Sequence, residues 1–227
     1  MNLDAQTLSE RVQRVRDTLA RESAPWGRMP TLIAVTKYST PAEILPLADL
    51  GVTHIGENRV QSLREKLPFL EEKFSIHLIG RLQTNKVKYI IKDVCLIHSL
   101  DSMPLARGIV RQAQKQGRRM PVLVQVYVAK EPQKGGVEKE ALFPFLRACA
   151  PLPGLEIKGL MAIMPLGADR DALTGYFTRM RTLLDQCRQE AIPGTDMREL
   201  SMGMSQDYDL AARCGATMVR VGSALFR

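Results

Sequence analysis

Short apolar segments alternate with longer, more polar segments along almost the entire chain. The apolar segments have the length and the β-branched content of buried strands, and the segments between them have the pattern of helices. The pattern predicts eight strands, over residues 32–37, 52–56, 75–80, 94–98, 122–128, 157–163, 199–202 and 217–221. It predicts a helix after nearly every strand, over residues 42–50, 59–73, 84–92, 102–116, 138–149, 169–190 and 205–214.

An additional amphipathic helix precedes the first strand. Its apolar residues recur at helical spacing over residues 3–22 and are Leu8, Val12, Val15 and Leu19. Thr7 and Glu10 have the spacing of a capping box, which would place the start of the helix near Thr7. We expect residues 1–28 to form an N-terminal helix that packs on the rest of the domain.

Eight strands that are almost all followed by a helix are the sequence pattern of a (β/α)₈ TIM barrel, a fold of the α/β class. A doubly wound open sheet is the alternative, because the number of strands read from a sequence can be wrong by one or two. We favour the barrel because no linker or low-complexity segment divides the chain into halves. The prediction is therefore a single domain over residues 1–227.

Composition restricts the classes of function. The chain has 227 residues and a net charge of +8, but its basic residues are interleaved with acidic ones and only 5% of residues are aromatic, so we do not expect nucleic-acid binding. No apolar run reaches the ~18 residues of a membrane span, and the N-terminus does not resemble a signal peptide. Four scattered cysteines indicate reduced thiols in a cytoplasmic protein rather than disulfides or a metal site. We expect a monomer, since no exposed apolar stripe demands a dimer.

Lys37 is the first candidate for chemistry. It directly follows the apolar run of the first strand, and Ser39, Thr40 and Pro41 then end the strand. We expect its stem to lie among apolar neighbours at the rim of a cavity, where desolvation favours the neutral amine that attacks an aldehyde. An ordinary surface lysine just past a strand is the alternative on this segment alone.

The ends of the last two strands carry glycine and serine. Residues 201–205 read Ser-Met-Gly-Met-Ser, and Gly222 and Ser223 follow the eighth strand. In TIM barrels the loops after strands seven and eight often hold a phosphate group, which backbone N–H groups beside glycine can bind. Each Gly-Ser pair alone is more often a turn with an N-cap, but two pairs at these two strand ends predict a phosphate site.

These candidates together fit pyridoxal 5′-phosphate (PLP). Lys37 would form a Schiff base with the aldehyde, the two loops would hold the 5′-phosphate, and Arg220 would face the pyridine nitrogen. A cation at that nitrogen keeps it unprotonated and weakens the ring as an electron sink. An ion pair inside the mouth of the barrel is the alternative for Arg220.

Several longer segments of the sequence resemble the YggS/PROSC family of PLP-binding proteins. The resemblance is collinear over about residues 8–226, and its specific parts are His77-Leu78-Ile79-Gly80-Arg81-Leu82-Gln83-Thr84-Asn85-Lys86 and Ser201-Met202-Gly203-Met204-Ser205. It is also carried by Ala34-Val35-Thr36-Lys37, Gly56-Glu57-Asn58, His98-Ser99-Leu100-Asp101, Gly159-Leu160-Met161 and Val219-Arg220-Val221-Gly222. The chain departs from the family at Ile76, where an aromatic residue is usual, and in its short tail after Phe226.

The resemblance implies a barrel like the N-terminal domain of alanine racemase, a role in intracellular PLP (vitamin B6) homeostasis that affects amino- and keto-acid pools, and no established catalytic turnover. It implies that Lys37 is the N6-(pyridoxal phosphate)lysine, that Arg220 is the partner of the pyridine nitrogen, and that Asn58 and His77 line the pocket. The remaining implied cofactor contacts lie at strand ends and are Met161, Ser201, Met202, Gly203, Ser205, Gly222 and Ser223. PLP-dependent apoenzymes are possible transient partners.

A PLP-dependent amino-acid racemase or lyase is the alternative function. Racemisation in the resembled enzyme uses a tyrosine from a second domain, and the chain ends where that domain would begin. Of the tyrosines in this chain, only Tyr38 is next to Lys37. A class I aldolase with a substrate Schiff base is a third hypothesis, but it would not explain Arg220. We interpret His54, His77 and His98 as core histidines, not metal ligands. Residues 130–136 form either a flap or a long polar loop.

Overall fold

The computed structural model describes residues 4–128 and 135–227. Eight parallel strands form a closed barrel in which each strand pairs with the next along the chain and β8 pairs with β1. The strands are β1 (Thr31–Val35), β2 (His54–Glu57), β3 (Ser75–Leu78), β4 (Leu96–Leu100), β5 (Met120–Gln125), β6 (Leu155–Met161), β7 (Thr195–Ser201) and β8 (Met218–Val221). The predicted TIM barrel is confirmed, and the open-sheet alternative is wrong.

Helices lie between the strands, before the first strand and after the last. They are α1 (Ala5–Ser23), α2 (Pro41–Ile44), α3 (Pro46–Asp49), α4 (Val60–Leu70), α5 (Met103–Lys115), α6 (Leu142–Cys149), α7 (Arg170–Glu190), α8 (Tyr208–Arg213) and α9 (Ser223–Phe226). Short 3₁₀ segments cover Ala24–Trp26, Thr84–Tyr89 and Lys139–Ala141. Because each strand returns parallel to the one before it through this outer layer, all strand ends that carry candidate residues open onto one face of the barrel.

Apolar side chains fill two compartments. The larger core lies between the strands and the helices, and it includes Leu32, Ala34, Leu78, Ile97 and Val219. Leu96, Leu123 and Met161 form a small separate cluster, and along their strands they alternate with residues of the larger core. Since successive residues of a strand point to opposite faces, this second cluster lies inside the barrel. Burying each of these large side chains contributes roughly 1.5–3 kcal/mol to stability.

The N-terminal helix packs on the last turns of the chain. The four predicted apolar residues of α1 are all buried, and the helix contacts α8 and α9. Arg11 Nη1 donates a hydrogen bond to the carbonyl oxygen of Leu225 at 3.3 Å, and Arg16 Nη1 donates one to that of Leu50 at 2.7 Å. The predicted capping box at Thr7 is wrong, because Asp4 occupies the N-cap position and Thr7 lies within the first turn.

Several predicted boundaries were wrong. The segment predicted as a helix over residues 84–92 is a 3₁₀ helix of six residues, and the helix predicted over 42–50 is divided in two at Pro46, whose ring cannot supply the N–H of a continuous helix. Strand β7 begins at Thr195 and not at residue 199, because its first half carries polar residues that hide the strand pattern. Helix α9 was not predicted, and most of the segment interpreted as either a flap or a long polar loop, residues 130–136, lies outside the described residues.

Candidate functional site

Lys37 lies in a turn just beyond the carboxyl end of β1. The backbone N–H of Ser39 closes this turn by donating to the carbonyl oxygen of Thr36 at 3.0 Å. Lys37 is exposed, and its Nζ lies 4.8 Å from the centre of the Tyr38 ring, which is itself 74% exposed. The sequence placed Lys37 correctly at the mouth of the barrel, but the expectation that its stem lies among apolar neighbours was wrong.

A buried carboxylate holds the backbone that leads into Lys37. Glu57, the last residue of β2, is fully buried, and its Oε1 accepts hydrogen bonds from Thr36 Oγ1 at 2.6 Å and from Lys66 Nζ at 2.8 Å. Lys66 Nζ also donates to the carbonyl oxygen of Thr36 at 2.7 Å, and Ser62 Oγ donates to Glu57 Oε2 at 3.2 Å. One ion pair therefore fixes both the side chain and the carbonyl of the residue that precedes Lys37.

Arg220 is a buried cation on the last strand. Its Nη1 donates a hydrogen bond to Ser201 Oγ at 2.6 Å, and its Nη2 donates one to the carbonyl oxygen of Ala162 at 2.8 Å. Within the part of the chain that the structure describes, Arg220 forms no ion pair with a carboxylate. Burial lowers the pKa of Arg220 to about 10, and the charge of Asp207 opposes this effect. An ion pair at the barrel mouth, the alternative explanation of Arg220, is therefore not observed among residues 4–128 and 135–227.

The three histidines and Ser201 form a continuous line of hydrogen-bonded groups inside the barrel. His54 Nδ1 lies 2.9 Å from His77 Nε2, His77 Nδ1 lies 2.9 Å from His98 Nε2, and His98 Nδ1 lies 3.0 Å from Ser201 Oγ. His98 is on β4 and Ser201 is on β7, so these two can meet only across the interior. Burial lowers the pKa of His54, that of His77 to about 3, and that of His98 well below its usual value.

The loops after β7 and β8 meet through Ser205. Its Oγ accepts hydrogen bonds from the backbone N–H groups of Gly222, at 2.9 Å, and Ala224, at 3.2 Å. Gly203 has a φ of +89°, and a Cβ there would lie 2.4 Å from that of Ala211, so only glycine fits this turn. The two loops in which the sequence predicts a phosphate site are therefore in direct contact.

The Asp207 side chain is hydrogen-bonded to the backbone of the loop that follows β7. Its Oδ1 accepts a hydrogen bond from the backbone N–H of Met204 at 2.5 Å, and the side chain is buried. Burial raises the pKa of the Asp207 carboxyl, while the hydrogen bond from Met204 and the charge of Arg220 lower it. The carboxyl thus shapes the loop that carries Ser205.

Asn58 supplies an unsatisfied acceptor at the end of β2. Its Oδ1 is buried and has no hydrogen-bond partner among the described residues, and the same holds for Ser99 Oγ. The backbone of Asn58 is packed against Gly80, where an added Cβ would lie 2.2 Å from the Asn58 carbonyl oxygen. Because leaving a buried acceptor unpaired costs about 1–3 kcal/mol, Asn58 Oδ1 is a group that a bound molecule could satisfy.

The remaining predicted site residues lie at different depths. Met161, His77 and Ser201 are inside the barrel and almost completely buried, whereas Ser223 is exposed on the first turn of α9. Met202 points the other way, since its side chain belongs to the core between strands and helices. It can therefore meet a ligand at the mouth only through its backbone.

Sequence reasoning missed two contributors to the site. Glu57 and Lys66 were not singled out, although a glutamate at the end of an apolar strand is a signal that a buried carboxylate needs a partner. Among residues 4–128 and 135–227, no group of three or more His, Cys, Asp or Glu side chains is arranged to hold a metal ion. Of the helices in those same ranges, none has the length and apolar character of a membrane span.

A closed barrel with an amine, a buried cation and converging backbone N–H groups at its carboxyl-end face defines a small-molecule-binding (β/α)₈ barrel. The family model described as alanine racemase, N-terminal domain, matches residues 3–227. The pyridoxal phosphate homeostasis protein of Aquifex aeolicus is 38% identical over 224 residues, which covers 96% of each chain. The chain belongs to the alanine racemase N-terminal domain family and, within it, to the pyridoxal phosphate homeostasis proteins.

Solved structures agree with this assignment. The structure of PipY from Synechococcus elongatus with PLP bound is 35% identical, has a TM-score of 0.86, and covers 97% of this chain and 100% of its own. Alanine racemase from Corynebacterium glutamicum is only 14% identical, with a TM-score of 0.71 over 98% of this chain and 60% of the enzyme. The second likeness shows a shared fold and nothing about activity.

Proposed function

We propose that this protein binds PLP as a Schiff base on Lys37 and serves in intracellular PLP homeostasis, with effects on amino- and keto-acid pools. One observation carries the proposal. The strand that delivers Lys37 is paired with the strand that holds Arg220, with Ile33 opposite Arg220, so an amine and a buried cation belong to neighbouring strands. An amine can form a Schiff base with the aldehyde of PLP, and a guanidinium can donate a hydrogen bond to its pyridine nitrogen.

The residues present fit the cofactor. Arg220 is a buried donor with no described carboxylate partner, and Asn58 Oδ1 is a buried acceptor with none, so a ligand that offers an acceptor and a donor would satisfy both. Gly203, Ser205, Gly222 and Ser223 would surround the phosphate, where Gly222 and Ala224 already point N–H groups at an oxygen. His77 and Met161 would form part of the floor below.

The arginine also favours a holding role over turnover. PLP supplies an aldehyde for covalent attachment and a ring that can accept electrons when its nitrogen is protonated. Arg220 can only donate hydrogen bonds, so it would hold that nitrogen as an acceptor and without a proton. A weaker electron sink makes an extended carbanion less favourable, which counts against the racemase or lyase alternative without eliminating it.

The exposure of Lys37 supports exchange of the cofactor. An amine in an open turn is accessible to a second amine, such as the lysine of a PLP-dependent apoenzyme, which could displace it and take the aldehyde. We therefore propose transient encounters with apoenzymes as the route by which the cofactor leaves.

The visible absorbance of the purified protein mixed with PLP tests the proposal. Wild type and Lys115→Ala, a control in which an exposed lysine at the end of α5 is removed, are expected to develop a yellow band that borohydride removes. Lys37→Ala is expected to develop none while it keeps the circular dichroism of the wild type, because its side chain is exposed. An equal band in Lys37→Ala would overturn the assignment.

A further inference from the structure

The hydrogen-bonded line that ends at Arg220 begins at His54 on β2, and two of its members, His54 and His98, are not among the expected cofactor contacts. We call His54, His77 and His98 the histidine relay. His54 is half-buried at the first residue of β2, His77 and His98 are almost fully buried on β3 and β4, and Ser201 joins the relay to Arg220. The relay thus connects the N-terminal side of the barrel with the cation at its mouth.

Arg220 sets the direction of every hydrogen bond in this line. A guanidinium has donors only, so Ser201 Oγ must accept from Arg220 Nη1. The one hydrogen of the hydroxyl is then left for His98 Nδ1, which is the other atom within hydrogen-bond distance of Oγ among the described residues. If His98 Nδ1 carried a proton instead, the hydroxyl hydrogen would have no acceptor among the side chains and backbone groups that the structure describes.

The same constraint decides which ring nitrogen carries the proton in the other histidines of the relay. With Nδ1 of His98 unprotonated, its neutral ring carries the proton on Nε2 and donates to His77 Nδ1. His77 in turn donates from Nε2 to His54 Nδ1. All three rings therefore share one tautomer, with the proton on Nε2, and burial keeps His77 and His98 neutral.

We propose that His98, supported by His77 and His54, is a positioning residue that holds the Ser201 hydroxyl as the acceptor for Arg220. Without the relay the hydroxyl could rotate, and Arg220 Nη1 would lose its fixed acceptor. The consequence for PLP rests on the proposed function: the guanidinium keeps the orientation in which its remaining N–H groups meet the pyridine nitrogen.

Nitrogen NMR of the ligand-free protein tests the relay by itself. The chain has three histidines and all belong to the relay, so a two-bond ¹H–¹⁵N correlation spectrum contains no others. We expect three rings with a protonated Nε2 and an unprotonated Nδ1. In Ser201→Ala the signals of all three rings, including the distant His54, should move towards a mixture of tautomers. Ser99→Ala removes the neighbouring buried hydroxyl outside the relay and should leave them unchanged.

A matched pair of variants then tests the effect on PLP. His98→Leu removes both contacts of the ring and should weaken PLP binding about tenfold, the size of one hydrogen bond to a charged group, and shift the absorbance maximum of the bound cofactor. His98→Asn keeps a polar atom near the position of Nδ1 and should restore the wild-type maximum. If His98→Leu does not fold, His98→Asn and Ser201→Ala carry the same comparison.

The outcomes separate this inference from the proposed function. A proton on Nδ1 of any wild-type histidine, or a Ser201→Ala spectrum identical to that of Ser99→Ala, would overturn the relay whatever the protein binds. The expected tautomers in a protein that never takes up PLP would leave the relay standing and refute the proposed function. Unchanged PLP affinity and absorbance in His98→Leu would refute the positioning role alone.

Discussion

Replacing Lys66 with methionine should destabilise the protein strongly and disturb the turn that holds Lys37. The substitution keeps roughly the length of the side chain but removes the cation; among the described residues, the fully buried Glu57 carboxylate is then left with the hydroxyls of Thr36 and Ser62 as donors. Breaking a buried ion pair by removing one partner costs about 3–5 kcal/mol. Because 12% of the Lys66 side chain is exposed and water can partly replace it, we expect the lower end, about 3 kcal/mol.

Urea unfolding at neutral pH measures this loss. For a chain of this size we expect a slope near 3 kcal/mol per molar urea, so Lys66→Met should lower the midpoint by about 1 M without changing the slope. Lys158→Met is the matched control, since Lys158 pairs with Glu156 at 3.1 Å and Asp196 at 3.4 Å on the surface, where such pairs contribute about 0–1 kcal/mol.

A double variant separates the buried charge from the lost contacts. Glu57→Gln combined with Lys66→Met leaves no charge buried and should be more stable than Lys66→Met alone. If Lys66→Met unfolds at the same urea concentration as Lys158→Met, the ion pair does not hold this part of the barrel and the reasoning fails.

Three further predictions concern the PLP site, the buried histidines and the transfer of the cofactor. Arg220→Ala or Ser205→Ala should weaken PLP binding at least about tenfold in equilibrium dialysis, since each would remove hydrogen bonds that involve a charged group. Unchanged affinity in both variants would contradict the proposed PLP site. Because burial lowers the pKa of His77 and His98 in the folded protein, both bind protons below about pH 6.5 only when the chain unfolds. In urea titrations the free energy of unfolding should therefore fall as the pH drops from 6.5 towards 3, by up to about 1.4 kcal/mol per pH unit for each histidine. A flat profile would contradict their burial. The PLP-loaded protein should reactivate a PLP-dependent apoenzyme in the presence of a phosphatase that destroys free PLP, and no reactivation would refute direct transfer.

The barrel could be predicted because its signals are local. Most strands are short apolar runs, and Lys37, Asn58, Ser205 and Gly222 could be placed at the mouth from strand ends alone. Where polar residues occupy a strand, as in the first half of β7, the same reasoning placed the boundary wrongly.

The interior of the site could not be read from the sequence. His98 and Ser201 are 103 residues apart and Arg220 is a further 19 residues on, so only the closure of the barrel brings them together. Nor could the sequence reveal that Lys37 is exposed, because the turn closed by Thr36 and Ser39 carries the side chain away from the apolar strand that precedes it.

Peptide mass mapping after borohydride reduction tests the central claim most directly. Wild-type protein is mixed with PLP, reduced and digested, and each lysine-containing peptide is searched for the added pyridoxyl phosphate mass. We predict that the modification lies on Lys37 and that Lys37→Ala carries none. A modification on another lysine, or a wild-type protein that remains unmodified, would contradict the account.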